Sequence, residues 1–214
     1  MSSQKYRKHP KTFHFSWSEN LQNDDRMLQS LDGFQGKEVV ATVKLDGETS
    51  SIYTNGHFHA RSLDSVDHES RSFVKRLLKN IAYEIPEGWR VCGENMFAKH
   101  SIKYENLESY FYVHSIWNDK NECVSWDEMV EWCKLLGLIH VPVLYRGIWD
   151  ETIIKSLFSY IYSGDPMEGY VVRVSEKFPY SAYHTFVGKF VRKDHVQSDE
   201  HWLSQKIVPN QLRK

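Results

Sequence analysis

What this chain lacks narrows its class before anything it contains. No apolar run in its 214 residues approaches the roughly 20 that a spanning helix needs, so a helical membrane protein is not expected. There are three cysteines, Cys92, Cys123 and Cys133, and no Cys-x-x-Cys pair, which argues against structural zinc and suits a reducing compartment. The eleven histidines include no His-Glu-x-x-His, and His195 and His201 lie in a stretch without other ligands. Charge of one sign is not in excess: 27 basic residues face 28 acidic ones, for a net charge of −1. A histone-like polycation is therefore excluded, and any contact with nucleic acid must be local. The candidate patches are Lys5, Arg7, Lys8 and Lys11, then Lys189, Arg192 and Lys193, then Arg213 and Lys214. The basic N-terminus MSSQKYRKHPKTFHF has no apolar core and reads as the start of the mature protein. No internal repeat or low-complexity linker divides the chain, which favours one domain.

What is present is a folding composition, 41% hydrophobic and 14% aromatic. Residues 37–63 read as a β-hairpin in which VVATVKLDGETSSIY returns through Thr54-Asn55-Gly56 into HFHARSL. A helix is expected over 66–82, with Phe73, Val74, Leu77, Leu78 and Ile81 on one face. WRVCGENMF and SYFYVHSIWN are strand-like. The capping pair Ser125 and Glu128 predicts a helix over 126–137, and Asp150 as N-cap predicts another over 151–163. GYVVRV and HTFVGKFVR read as strands, followed by a terminal helix near 199–206. Helices clustered between antiparallel strand pairs indicate an α+β domain.

The run ATVKLDGETSSIY sets Lys44 beside Asp46 and Gly47 in a strand-like segment. A lysine held this way is a candidate nucleophile, because neighbouring cations or removal from water favour its neutral amine. Alone, Lys-x-Asp-Gly also fits a solvated lysine beside a turn. Downstream, GENMF supplies Glu94, EGYVVR supplies Glu168, and GKFVRK supplies Lys189 and Lys193. Lysines that neutralise phosphate oxygens, with carboxylates for a divalent metal and ribose, make a set that could hold a triphosphate.

In this order the segments resemble the motifs of the covalent nucleotidyltransferase superfamily of polynucleotide ligases and messenger-RNA capping enzymes. KLDG is similar to its nucleotidyl-lysine motif, HARS to the following Ser/Arg motif, and GEN to the third. YVHSI resembles the aromatic strand after it, EGYVVR the fourth motif and KFVRK the last lysine motif, so the likeness runs from about Lys37 to His195. GENMFAKHSIKY, EGYVVR and HVQSDEHW look most like the ATP-dependent RNA ligases of phages and bacteria. HFSWSEN followed by Asp24-Asp25-Arg26 is similar to small RNA-ligase-like proteins.

The resemblance implies an α+β nucleotidyltransferase (ATP-grasp-like ligase) domain of antiparallel sheets flanked by helices. It would span 1–214, with 1–36 an extension packed on it and no separate C-terminal domain. It implies an ATP-dependent RNA ligase using Mg²⁺, with Mn²⁺ as an alternative. Lys44 would attack the α-phosphate of ATP to give lysyl-AMP, AMP would pass to an RNA 5′-phosphate, and a 3′-hydroxyl would displace it. By the same likeness Arg61 would contact phosphate or ribose, Glu94 the ribose hydroxyls, Glu168 the metal, and Lys189 with Lys193 the phosphates. Thr42, Val43, Asp46, Gly47 and His114 would complete the nucleotide site. The implied partners are RNA ends rather than a membrane, for a monomer in a bacterial or virus-infected host cytosol. A DNA ligase, a GTP-using capping-type enzyme and a non-catalytic nucleotide- or RNA-binding module are the alternatives.

Several positions depart from the family pattern. Thr42 stands where many ligases have glutamate two residues before the nucleophile, and its hydroxyl can accept one hydrogen bond from adenine. His114 takes the place of the stacking aromatic, with Tyr112 as the other aromatic expected on the same strand face, and Ser115 replaces the usual Asp. Val191 stands in the Lys-x-Lys motif, leaving Lys189 and Lys193 on the same face of an ideal strand. Asp46 is also a candidate for ordering the turn beside Gly47, and Arg61 for a salt bridge on a hairpin.

Overall fold

Two β-sheets enclose the core, and the chain crosses from one to the other at the Lys44–Glu48 step. The computed structural model describes residues 5–21, 24–65, 67–193 and 206–214. Among them, no helix is long and apolar enough to cross a membrane.

The first sheet holds five strands: β1 (Phe13–His14), β2 (Glu38–Lys44), β7 (Val143–Ile148), β8 (Gly169–Val174) and β9 (Val187–Val191), in the spatial order β1-β9-β8-β2-β7. The second is built on β3 (Glu48–Tyr53), β4 (Phe58–Ala60), β5 (Arg90–Asn95) and β6 (Phe111–Trp117), extended by two-residue strands at 122–123, 139–140 and 178–179. Pairing is antiparallel except for β1 on β9 and 139–140 on β6. Val-rich β2 and β8 are nearly buried throughout, which is why they read as continuous apolar runs rather than as alternation. The fold is α+β, as expected.

Among the described residues four α-helices flank the sheets: α1 (Glu69–Lys79), α2 (Trp126–Leu136), α3 (Glu151–Ser156) and α4 (Tyr183–Phe186). The Ser125 hydroxyl accepts from the Glu128 N–H at 3.2 Å, so α2 starts where its capping residues predict, and it ends at Gly137. In α1 the expected apolar face holds through Val74 and Leu78, both fully buried, whereas Leu77 is exposed.

The expected elements need correction at three places. The hairpin read over 37–63 is three strands in two sheets, and only β3–β4 closes through Thr54–Gly56. The helix expected over 151–163 stops at Ser156. Ser163 and Gly164 both take positive φ, 50° and 88°, and close a two-residue hairpin that pairs Tyr162 with Asp165. HTFVGKFVR begins as α4 and becomes strand only at Val187. The helix expected near 199–206 falls, save for Lys206, outside the described residues.

Candidate active site

Side-chain alternation on three adjacent strands builds one wall of a cleft of about 180 Å³. Thr42 and Lys44 on β2, Val171 and Arg173 on β8, and Val187 and Lys189 on β9 all line it. Val171 lies between Thr42 and Lys189 in register, and Gly169 lies beside Lys44. The opposite wall comes from the second sheet through Thr49, Arg61, Glu94, His114 and Ser115. The cleft therefore sits where the two sheets meet, with Lys44 as the last residue of β2.

The nucleophile candidate is not free. Lys44 Nζ donates to both carboxylate oxygens of Glu168, each at 2.6 Å, and Glu168 is almost fully buried just ahead of β8. Burial is the largest influence on Lys44 and favours the neutral amine. Glu168, Glu94 and Asp46 outweigh it together and hold the ammonium above its ordinary pKa. This corrects the expectation that cations surround Lys44: carboxylates do. Glu94 accepts from the Thr49 hydroxyl at 3.2 Å, and burial pushes its carboxyl up to about 8, with Glu168 and Asp46 adding to the shift and Lys44 opposing it.

Lys189 shows the reverse. Burial first and the Lys44 charge second bring it down to about 8, against the pull of Asp25 and Glu168. Its Nζ lies 3.5 Å from Asp25 Oδ1, and the same oxygen is 3.3 Å from Lys11 Nζ. His14 Nε2 lies 3.2 Å from Asp25 Oδ2, but burial and the Lys189 charge lower the imidazole to about 4.

Asp46 and Gly47 act beneath the cleft rather than in it. Asp46 Oδ2 accepts from the backbone N–H groups of Ser101 and Ile102, both at 2.7 Å, and its own N–H donates to the Tyr104 hydroxyl. A Cβ on Gly47 would come within 2.6 Å of the Asn95 carbonyl oxygen, so only glycine lets the crossover pass this close to β5.

His114 lines the cleft, and burial with the Arg173 charge lowers its imidazole to about 4, leaving it neutral. Tyr112 does not share its face. Cys92 pairs with Ser115 and Gly93 with Val113, so His114 is the extra residue of a β-bulge and alternation breaks there. Tyr112 instead lines a separate cavity with Tyr104, His140 and Tyr162. Lys193 also departs from expectation. Strand β9 ends at Val191, the Arg192 N–H donates to the Glu168 carbonyl, and Lys193 lies exposed beyond, with its backbone N–H donating to Glu19. The structure thus brings Thr42, Val43, Lys44, Arg61, Glu94, His114 and Lys189 to one cleft with Glu168 at its floor, and leaves Lys193 outside.

Sequence reasoning missed the N-terminal contribution. His9, Pro10, Lys11 and Thr12 line the cleft, and His9 Nε2 lies 3.3 Å from Ser115 Oγ. Lys11 stood among the basic residues of the N-terminus, but nothing local joined it to β9. Arg173 was missed too. Its guanidinium donates to the carbonyls of Val124 and Val174, which commits it to structure.

A family model described as RNA ligase matches residues 37–191. No curated protein sequence matches this chain. Among solved structures, a ligand-free point mutant of Naegleria gruberi RNA ligase is 18% identical, with a TM-score of 0.57 over 86% of this chain and 57% of that one. Another mutant of that ligase, with ATP and Mn, is 20% identical, with a TM-score of 0.57 over 87% of this chain and 58% of that one. The same ligase with PPi is 17% identical, with a TM-score of 0.57 over 90% of this chain and 60% of that one. At such identities the likeness is one of fold, and this chain spans under two thirds of the length of the chains it matches.

Proposed function

The chain belongs to the RNA ligase family, and from that premise we propose that it is an ATP-dependent RNA ligase that works through a lysyl-AMP on Lys44. The observation that carries the reading is the pairing of Lys44 with buried Glu168 at the floor of a cleft walled by Glu94, Arg61, His114 and Lys189. Lys44 attacks the α-phosphorus of ATP, its N–P bond forms as the bond to pyrophosphate breaks, and the amine proton is lost. The AMP then moves to an RNA 5′-phosphate, and a 3′-hydroxyl displaces it to join the ends. Phosphoryl-type transfer asks the protein mainly for positioning and charge neutralisation. Lys189 supplies charge beside the nucleophile, Glu94 and Arg61 face the ribose and phosphates, and neutral His114 offers a flat ring to the base without cationic cost.

Burial already favours the neutral Lys44 amine, so neutralising the Glu168 carboxylate is what readies the nucleophile. Among the described residues no cluster of three His, Cys, Asp or Glu forms a complete protein cage for a metal. That donor set fits Mg²⁺ or Mn²⁺ held by one carboxylate, Glu168, together with nucleotide phosphates, as hard cations are commonly held at nucleotide sites. Bound there, a divalent ion would neutralise phosphate charge. A single domain with its N-terminal segment packed on the sheets, acting as a monomer on RNA ends in a cytosol, completes the proposal. The three free, buried cysteines suit a reducing setting.

Incubation with α-labelled ATP and Mg²⁺ should add one AMP to the protein by intact mass, and Lys44→Ala should abolish it. A panel of 5′-phosphorylated RNA and nicked DNA should then show RNA joining. No adduct from any nucleotide, an adduct from GTP alone, or sealing of DNA alone would overturn the reading.

A further inference from the structure

The segment before β1 bridges both walls of the cleft, although it lies outside residues 37–191. On the second sheet, the Arg7 N–H donates to the Tyr53 hydroxyl, the Tyr6 ring stacks on His57 with centroids 3.6 Å apart, and His9 packs edge-on against His114. On the first sheet, Phe13 and His14 pair with Gly188 and Lys189. Between these anchors Lys11 projects into the cleft, with its side chain a quarter exposed. Its ammonium reaches Asp24 Oδ2 at 2.6 Å and the Asp25 oxygen that also faces Lys189. Asp24 is 77% exposed, Asp25 10%. The contacts therefore run from Lys189 through Asp25 to Lys11 and on to exposed Asp24.

Of the other cations of the lining, Arg173 is committed to backbone carbonyls and Lys44 to Glu168, while Arg61 stands on the opposite wall. Lys11 and Lys189, facing each other across one carboxylate oxygen, match the spacing problem of a chain of phosphates, where successive groups need successive cations. We propose that Lys11 binds the terminal phosphates of the nucleotide, and the released pyrophosphate, with Asp25 as the positioning residue that holds Lys11 and Lys189 as a pair. This rests on the ligase reading for the α-phosphate at Lys44 and adds a recognition element from outside the family-matched region. Lys44 acts directly on Lys189, whereas Lys11 meets Lys189 across the shared Asp25 oxygen, so AMP, which lacks the outer phosphates, is not expected to engage Lys11.

Calorimetric titration of the full chain with ATP, AMP and inorganic pyrophosphate tests this. Lys11→Ala should weaken ATP and pyrophosphate roughly tenfold while AMP stays within about twofold, and Lys11→Arg should recover most of the loss. Asp25→Asn should raise the KM for ATP in Lys44-AMP formation while leaving kcat nearly unchanged. If Lys11→Ala weakens AMP as much as ATP, or leaves ATP unaffected in a protein whose wild type forms Lys44-AMP, the inference falls and the ligase reading stands. If Asp25→Asn leaves the KM unchanged, the positioning role falls. If the wild type forms no Lys44-AMP and binds neither ATP nor pyrophosphate, both fall.

Discussion

The two ends of the cleft treat the same side chain in opposite ways. At the floor Lys44 sits among Glu168, Glu94 and Asp46, and its ammonium is held above its ordinary pKa although burial opposes this. On the neighbouring strands Lys189 is also buried, but Lys44 is one of its charged neighbours, and it drops to about 8. Burial pushes both lysines the same way, so the sign of the neighbouring charges decides the outcome. Glu94 reaches about 8 from the other direction, because a buried carboxyl among carboxylates keeps its proton. The acidic surroundings of Lys44 and the positive charge beside Lys189 thus place Glu94 and Lys189, groups of opposite type, at the same titration point. Carboxylates that hold the nucleophile protonated and lysines gathered beside it suit a site in which the ligand brings the missing negative charge.

The strongest way to break this comparison is to neutralise one end at a time. Glu168→Gln and Lys189→Met should each slow Lys44-AMP formation by about two orders of magnitude, as loss of a charge stabiliser in a water-poor site does. They should differ at the amine. Glu168→Gln removes the main carboxylate that raises Lys44, so the nitrogen should become reactive toward an amine reagent at lower pH. Lys189→Met should not lower that pH. Equal behaviour in the mass-spectrometric labelling rate would remove the distinction between the two lysines.

Stability against pH sharpens it further. Between 4.5 and about 8 the native state keeps the Glu94 proton that the unfolded chain has lost, so the Glu94 contribution to stability should fall as pH rises through that window, while His14 and His114, lowered to about 4, contribute the opposite slope up to 6.5. Between about 8 and 10.5 the unfolded chain holds a proton on Lys189 that the native state has released, so the Lys189 contribution should climb, against the fall contributed by Cys133, whose thiol burial pushes from 9.0 up to about 12. Thermal melts should show Glu94→Gln flattening the first slope alone and Lys189→Met the second alone. If one variant changed both slopes, the two ends would be a single coupled unit.

The smallest expected effect lies away from the cleft. Ser125→Ala removes the cap of α2 and should cost about 1 kcal/mol in chemical denaturation with no change in Lys44-AMP formation. A change in that rate would mean that the scaffold helix reaches the site.

Much of the site was legible in the sequence because its residues lie on regular strands, where spacing and face go together. Thr42 and Lys44 share a face of β2, and Glu94, Glu168 and Lys189 lie on, or next to, strands that the local composition marks. Legibility failed where regularity failed. The bulge at His114 broke the alternation that would have put Tyr112 beside it, and the end of β9 at Val191 took Lys193 away from Lys189. The early stop of α3 came from a two-residue hairpin whose positive φ values a helical apolar pattern conceals.

By itself the sequence determined the α+β class, the turn beside Gly47, the cap of α2 and the order of nucleophile, acids and late lysine, because each rests on near-neighbour chemistry. Tertiary structure alone decided which charges meet. Lys44 and Glu168 lie 124 positions apart, Lys189 and Asp25 lie 164 apart, and Lys11 joins the latter pair from the far end of the chain. No local pattern carries the sign of a charge that distant, and that sign separates Lys44, held protonated, from Lys189, brought down to about 8.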